Sequence, residues 1–178
     1  KKLGPATRDA YGEVLIELGK ENPNIVVLDA DLSKSTKTAF FGEKFPDRFF
    51  NVGIQEADMV GIASGLALSG KIPFVSSFAC FLTSKAYDQL RMSVAFPRTN
   101  VKIVASHGGI SVGEDGASQQ SVEDVALMTS LPGFVVMVPC DAFQARALVR
   151  EATKHPGPVY IRTGRPKAPF VYNEKASF

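Results

Sequence analysis

Apolar positions recur every three to four residues between Thr7 and Gly19. Tyr11, Val14, Leu15 and Leu18 form one stripe, and Asp9, Glu13, Glu17 and Lys20 face the other way, which predicts an amphipathic helix. Pro23 and Asn24 punctuate it. Ile25 to Asp29 is then a short apolar run, the pattern of a strand covered on both faces. A Ser/Thr loop leads to a helix near 37–44, stopped by Pro46. Further strands are predicted over 49–52, 72–76, 101–106, 134–138 and 159–162. Helices are predicted over 55–69 and 82–94, from Ser121 as N-cap, and from Asp141 as N-cap to about Lys154. Strand and helix thus alternate six times. That alternation implies an α/β fold of three layers, a mostly parallel six-stranded sheet with helices on both faces.

At 178 residues the chain is most simply one domain with a single sizeable core. Its 45% hydrophobic and 21% charged residues are ordinary for a globular protein. The net charge of +2, from 20 basic and 18 acidic residues spread along the chain, offers no footprint for nucleic acid. Cys80 and Cys140 have no metal-type spacing and make no disulfide framework, which points to a reducing, cytoplasmic setting. No apolar run has the length of a membrane span. The start, Lys1-Lys2-Leu3-Gly4-Pro5, carries charge but no apolar region like that of a signal peptide. It also lacks Met, and the sequence is expected to be part of something longer.

Candidate chemistry gathers where predicted strands end. Asn51-Val52-Gly53-Ile54-Gln55-Glu56 reads as strand, turn and helix start, which puts Glu56 at the edge where open α/β sheets bind ligands. A poorly solvated carboxyl group there can share a proton with a ligand. A Glu in a first helical turn also complements the macrodipole, by about 0.3–1 kcal/mol, so the position alone leaves both roles open. Phe78 and Phe81 follow the strand at 72–76 and can stack on a flat heterocycle or pack in the core. His107 directly follows the strand at 101–106, and the loop to Gln120 carries Gly108, Gly109, Gly113, Asp115 and Gly116. Asp31 follows another strand. Arg8 sits at a helix start, where a cation is slightly unfavourable.

Taken together, Asp29-Ala30-Asp31-Leu32-Ser33, Glu56, Pro73 to Phe81, Ser106-His107 and Val112-Gly113-Glu114-Asp115-Gly116 resemble the pyrimidine-binding domain of transketolase. The resemblance runs from about Pro5 to Pro166. It implies a binding domain over 5–166 and a linker over 167–178 toward a further C-terminal domain, as in the C-terminal subunit of a split transketolase. It also implies thiamine diphosphate as cofactor. In that family a neutral carboxyl group bonded to the pyrimidine nitrogen favours the imino tautomer, and the cofactor does the hard chemistry.

The resemblance assigns catalysis to Glu56 and His107 and cofactor contacts to Asp31, Leu32, Glu56, Phe78 and Phe81. It assigns sugar and phosphate contacts to Arg8, Ser35, His107, Asp115, Gln119 and one of Arg162 and Arg165, since the planar fork of Arg suits phosphate. The chain departs from the family at Ala57 and Gln119, where related enzymes often carry His, and at Ser84, where some have an aromatic ring. Tyr87 is a candidate to complete the aromatic platform.

Gly113-Glu114-Asp115-Gly116 only outwardly resembles the family's diphosphate and Mg²⁺ segment and lacks its downstream Asn. No metal ligand is therefore assigned here. Mg²⁺ or Ca²⁺ is expected on a diphosphate-binding domain or subunit, and the assembly is expected to be a homo-oligomer or heterotetramer acting on sugar phosphates. The alternatives are a deoxyxylulose-phosphate synthase, a 2-oxo acid dehydrogenase β-subunit, or a non-catalytic assembly module of the same fold.

Overall fold

The structure is a computed structural model and describes residues 2–178. In chain order the elements are β1 (Leu3–Ala6), α1 (Thr7–Glu21), β2 (Ile25–Asp29), α2 (Ser33–Thr36), α3 (Ala39–Lys44), β3 (Phe49–Asn51), α4 (Glu56–Leu68), β4 (Ile72–Phe78) and α5 (Ala79–Lys85). They continue with α6 (Tyr87–Gln89), β5 (Lys102–Ser106), α7 (Asp124–Thr129), β6 (Val135–Met137), α8 (Ala142–Lys154), β7 (Val159–Arg162) and β8 (Lys167–Pro169). Six strands form one parallel sheet in the order β3-β2-β4-β5-β7-β6.

The apolar strands are explained by two covered faces. Along β2, Ile25 and Val27 join Tyr11, Leu15 and Phe41 beneath α1 and α3, while Val26 and Leu28 join Met59, Ala63 and Leu82 beneath α4 and α5. The same alternation repeats at Phe74 and Val75 in β4 and at Val104 and Ile103 in β5. Parallel register then aligns the carboxyl ends. Asp29 lies beside Asn51 and Ser76, and Phe78 beside Ser106.

Three local expectations are corrected. The helix expected over 82–94 is broken into α5, α6 and a π-helical turn over Leu90–Ala95. Ser121 is not an N-cap. Its carbonyl accepts from the Gly109 N–H (2.7 Å) and from Arg162 Nη2 (3.0 Å), which ties it to the loop after β5, and α7 starts three residues later. Residues 167–169, expected as the start of a linker, instead form β8, antiparallel to β1. Beyond β8, Asp141 Oδ2 accepts from the Val171 and Tyr172 N–H groups (2.8 and 2.7 Å), and its Oδ1 caps α8 through the Gln144 N–H (2.8 Å).

Candidate active site

Glu56 is the first residue of α4 and is only 2% exposed. Its carboxylate accepts from Ser77 Oγ at the end of β4 (3.3 Å) and from Lys85 Nζ on α5 (3.3 Å). Lys85 Nζ also lies 4.4 Å from the centre of the Phe81 ring. Phe81 stacks on Phe78 with centroids 5.6 Å apart, and Phe78 stacks on His107 at 3.8 Å. Phe78 is buried under these two rings, so half-buried Phe81 is the more open of the pair. Tyr87 does not complete the platform, because its hydroxyl is turned to α7, 2.8 Å from Ser130 Oγ and 3.2 Å from the Leu127 carbonyl. Ser84 donates to the Cys80 carbonyl of its own helix.

His107 follows β5 in a left-handed conformation (φ 59°) and is 2% exposed. Arg8 Nη1 donates to Nε2 (3.3 Å), which leaves the ring proton on Nδ1, 2.9 Å from Ser106 Oγ. Burial and the neighbouring Arg8 charge depress the His107 pKa to about 4, against the opposing pull of Asp115. Asp115 Oδ2 stands 3.9 Å from Nε2 and 3.6 Å from Arg165 Nη1. Arg8 Nη1 also donates to the Ser35 carbonyl (3.0 Å), while Arg8 Nε is buried without a partner. Arg8, Ser35, His107, Asp115 and Arg165 therefore converge. Gln119 is instead bonded to its neighbour Ser118.

Arg162 and Arg165 have different surroundings. Arg162 Nε lies 3.2 Å from buried Asp124, which also accepts from the Tyr160 hydroxyl (2.6 Å), and the Arg162 side chain packs beneath Gly108 and Gly109. Arg162 also lines a cleft of about 410 Å³ with Thr7, Gly109, Gly164 and Lys167. Arg165 bonds Glu114 and the Val112 carbonyl, in the loop that carries Asp115.

Asp31 and Leu32 form the turn after β2. Asp31 (φ 63°) exchanges two hydrogen bonds with the Asn51 side chain, each 3.1 Å. The Leu32 N–H donates to Asp29 Oδ1 (2.6 Å), and Thr36 and Thr38 both donate to Asp29 Oδ2 (2.7 Å). Burial raises the Asp29 pKa, and these donors oppose the rise. Asp29 organises this turn, a role missed from sequence although the Ser/Thr loop behind it was the available signal. Lys85, Ser77 and Asp124 were also missed. Among the described residues, no three His, Cys, Asp or Glu side chains converge as a metal site, and no helix is long and apolar enough to cross a membrane.

Residues 4–170 match the family pattern described as "Transketolase, pyrimidine binding domain". A protein of Methanocaldococcus jannaschii named as a transketolase C-terminal section is 51% identical over 173 residues, 96% of this chain and 55% of that protein. The human protein named transketolase is 41% identical over 174 residues, 97% of this chain and 28% of its own length. A solved structure titled "Split gene transketolase, inactive beta4 tetramer" superposes with a TM-score of 0.88 at 54% identity, covering 98% of this chain and 56% of that one. The chain thus spans about half the length of the first and third of these and less of the second. With the family pattern matched over residues 4–170 and relatives this similar along nearly its whole length, the chain belongs to the transketolase pyrimidine-binding domain family.

Proposed function

We propose that this chain is the pyrimidine-binding part of a thiamine-diphosphate-dependent transketolase, moving a two-carbon ketol unit between sugar phosphates. The observation that carries this is the buried Glu56 carboxylate, placed at the strand ends against Lys85 and the Phe81 ring. The residues fit the pyrimidine half of the cofactor. Glu56 would bond its ring nitrogen, Phe81 and Phe78 would pack against it, and Asp31 and Leu32 would border it. When bound, the cofactor supplies a carbon nucleophile and the electron sink for carbon–carbon cleavage. The chain's own part is to hold a proton at the carboxyl of Glu56, orient the ring and exclude water.

His107 is neutral near pH 7, since its pKa is about 4. With its proton on Nδ1, its Nε2 can accept a hydrogen bond from a sugar hydroxyl if Arg8 turns away. Arg8, with Arg162 or Arg165, would hold the sugar's phosphate, and Ser35, Asp115 and Gln119 would border the sugar. The diphosphate, Mg²⁺ or Ca²⁺ are assigned to a partner domain or subunit, with the assembly cytoplasmic and at least dimeric. A relative whose title describes an inactive β4 tetramer agrees with a need for such a partner. Residues 5–166 would be the binding domain and 167–178 would lead to the rest of the subunit.

The test is ketol transfer from xylulose 5-phosphate to ribose 5-phosphate, with pyruvate as the competing donor, in the chain reconstituted with a diphosphate-binding partner, cofactor and Mg²⁺. Glu56→Gln and Glu56→Ala should lose about 10²–10⁴-fold in kcat while the far-ultraviolet spectrum is unchanged. Full turnover in Glu56→Ala rejects the assignment, and turnover of pyruvate alone moves the chain to another thiamine enzyme.

A further inference from the structure

Lys85 has no role in the function proposed above, yet it makes the one ion pair to Glu56 among the described residues. It sits one helical turn after Phe81 on α5. Its ammonium touches two surfaces at once, the Glu56 carboxylate at 3.3 Å and the Phe81 ring at 4.4 Å from the centroid. These are the two surfaces that the function above reserves for the heterocycle. The two partners of the ion pair differ sharply in solvation. The Lys85 side chain is 48% exposed and that of Glu56 2%.

This asymmetry has a physical reading. A carboxylate this deeply buried needs compensation, because a charge removed from water without a partner is costly. Ser77 supplies one hydrogen bond from β4. The other charged group of the first turn of α4, Asp58, is exposed and has the same sign as Glu56. Beyond the Ser77 hydrogen bond and the dipole of α4 itself, the opposite charge comes from α5, at Lys85. Lys85 is suited to a temporary role, since its flexible stem can carry a strongly hydrated ammonium back into water. An ion pair with one exposed member is also weak enough to break.

Resting on the pyrimidine-binding assignment, we propose that Lys85 is a stand-in for the ring. In the unliganded chain its ammonium occupies the ground between the Glu56 carboxylate and the Phe81 face, and it withdraws when the heterocycle enters. Lys85 is on this account a positioning residue that keeps the carboxylate and the ring in place, and a competitor that the ligand displaces.

The experiment is isothermal titration of thiamine diphosphate, at fixed Mg²⁺, into the chain assembled with its diphosphate-binding partner. Lys85→Met keeps the apolar stem and removes the charge, and it should lower the Kd about fivefold, the upper range for a half-exposed ion pair. Lys85→Arg keeps the charge and should stay within about twofold of wild type. In a Glu56→Gln background the same Lys85→Met change should have no effect on Kd, because the charge it competes for is gone. A merely structural lysine would give weaker binding in Lys85→Met in both backgrounds. Unchanged or weaker binding by Lys85→Met, with wild type binding normally, overturns the inference and leaves the pyrimidine site standing. No binding by wild type overturns both.

Discussion

His107 is a base buried among cations. Arg8 donates to its Nε2, and burial with the Arg8 charge holds its pKa near 4, below the ordinary value of 6.5. The unfolded chain takes up this proton near pH 6.5 and the folded chain only near pH 4. Between those values the unfolded state binds more protons, so this residue makes stability rise with pH across that window. Acidification from pH 7 to pH 4 should therefore cost the wild type up to about 3 kcal/mol through His107 alone. Urea unfolding of His107→Gln at the two pH values should show that part of the acid sensitivity removed, and an identical loss in both proteins would mean the imidazole is charged in the fold. The single-residue signals read from sequence were the ones that depend on position after a strand, as for Glu56, His107 and Asp31. Partners were hidden, because Lys85 reaches Glu56 from 29 positions away and Asn51 reaches Asp31 from 20, while Asp124 on α7 pairs with Arg162 on β7.

At the level of elements, the central strands β2, β4, β5 and β7 were readable because they are buried on both faces and so are largely apolar, and the less buried edge strands β3 and β6 by their Phe and Val residues. The β1–β8 pair had no such signature. Gly4-Pro5 and Lys167-Ala168-Pro169 are not apolar runs, and their pairing joins the two ends of the chain across the surface. The break in the helix expected over 82–94 was equally silent, since Leu90, Val94 and Ala95 keep their apolar character through the π-helical turn and remain buried. What fastens the chain after β8 is the Asp141 side chain, already foreseen as the α8 cap and now seen to hold Val171 and Tyr172 as well. Burial pushes its pKa up, but the N–H donors of Gln144, Tyr172 and Val171 outweigh burial and leave it lowered. Its contribution is then present above the ordinary carboxylate range and is lost as pH falls through it. Asp141→Ala should cost about 0.5–2 kcal/mol, the range for a lost N-cap, and expose the tail. Hydrogen exchange at Val171, Tyr172 and Gln144 checks this: all three amides should lose protection together, and protected tail amides would show that the tail is held by other contacts.

On the scale of the whole molecule, the chain leaves part of the outer face of α4 uncovered. Helix α4 buries Met59, Val60 and Ala63 inward, and Ser64 donates to the Ser93 carbonyl (2.6 Å), so that this side of the helix is taken up within the chain. Gly61 and Gly65 lie on the other side with nothing within 4 Å of where a Cβ would stand, alongside exposed Ile62 and Leu68, and Ile54 is exposed just ahead of the helix. Exposed apolar side chains grouped on one helix are candidates for an association surface, and small residues let a partner's backbone come close. The same helix begins with Glu56, the carboxyl group proposed above to bond the cofactor ring. The uncovered face separates stability from assembly in a testable way. Gly61→Gln meets no obstacle inside the chain and replaces a poor helix former, so the isolated chain should gain about 0.5 kcal/mol in a thermal melt. The longer side chain should at the same time obstruct a partner. Light scattering after size exclusion, on the variant mixed with the diphosphate-binding subunit, should show a complex weakened at least about tenfold, a loss of at least about 1.4 kcal/mol. A variant that melts higher and still assembles normally would place the partner on another face and detach α4 from the interface.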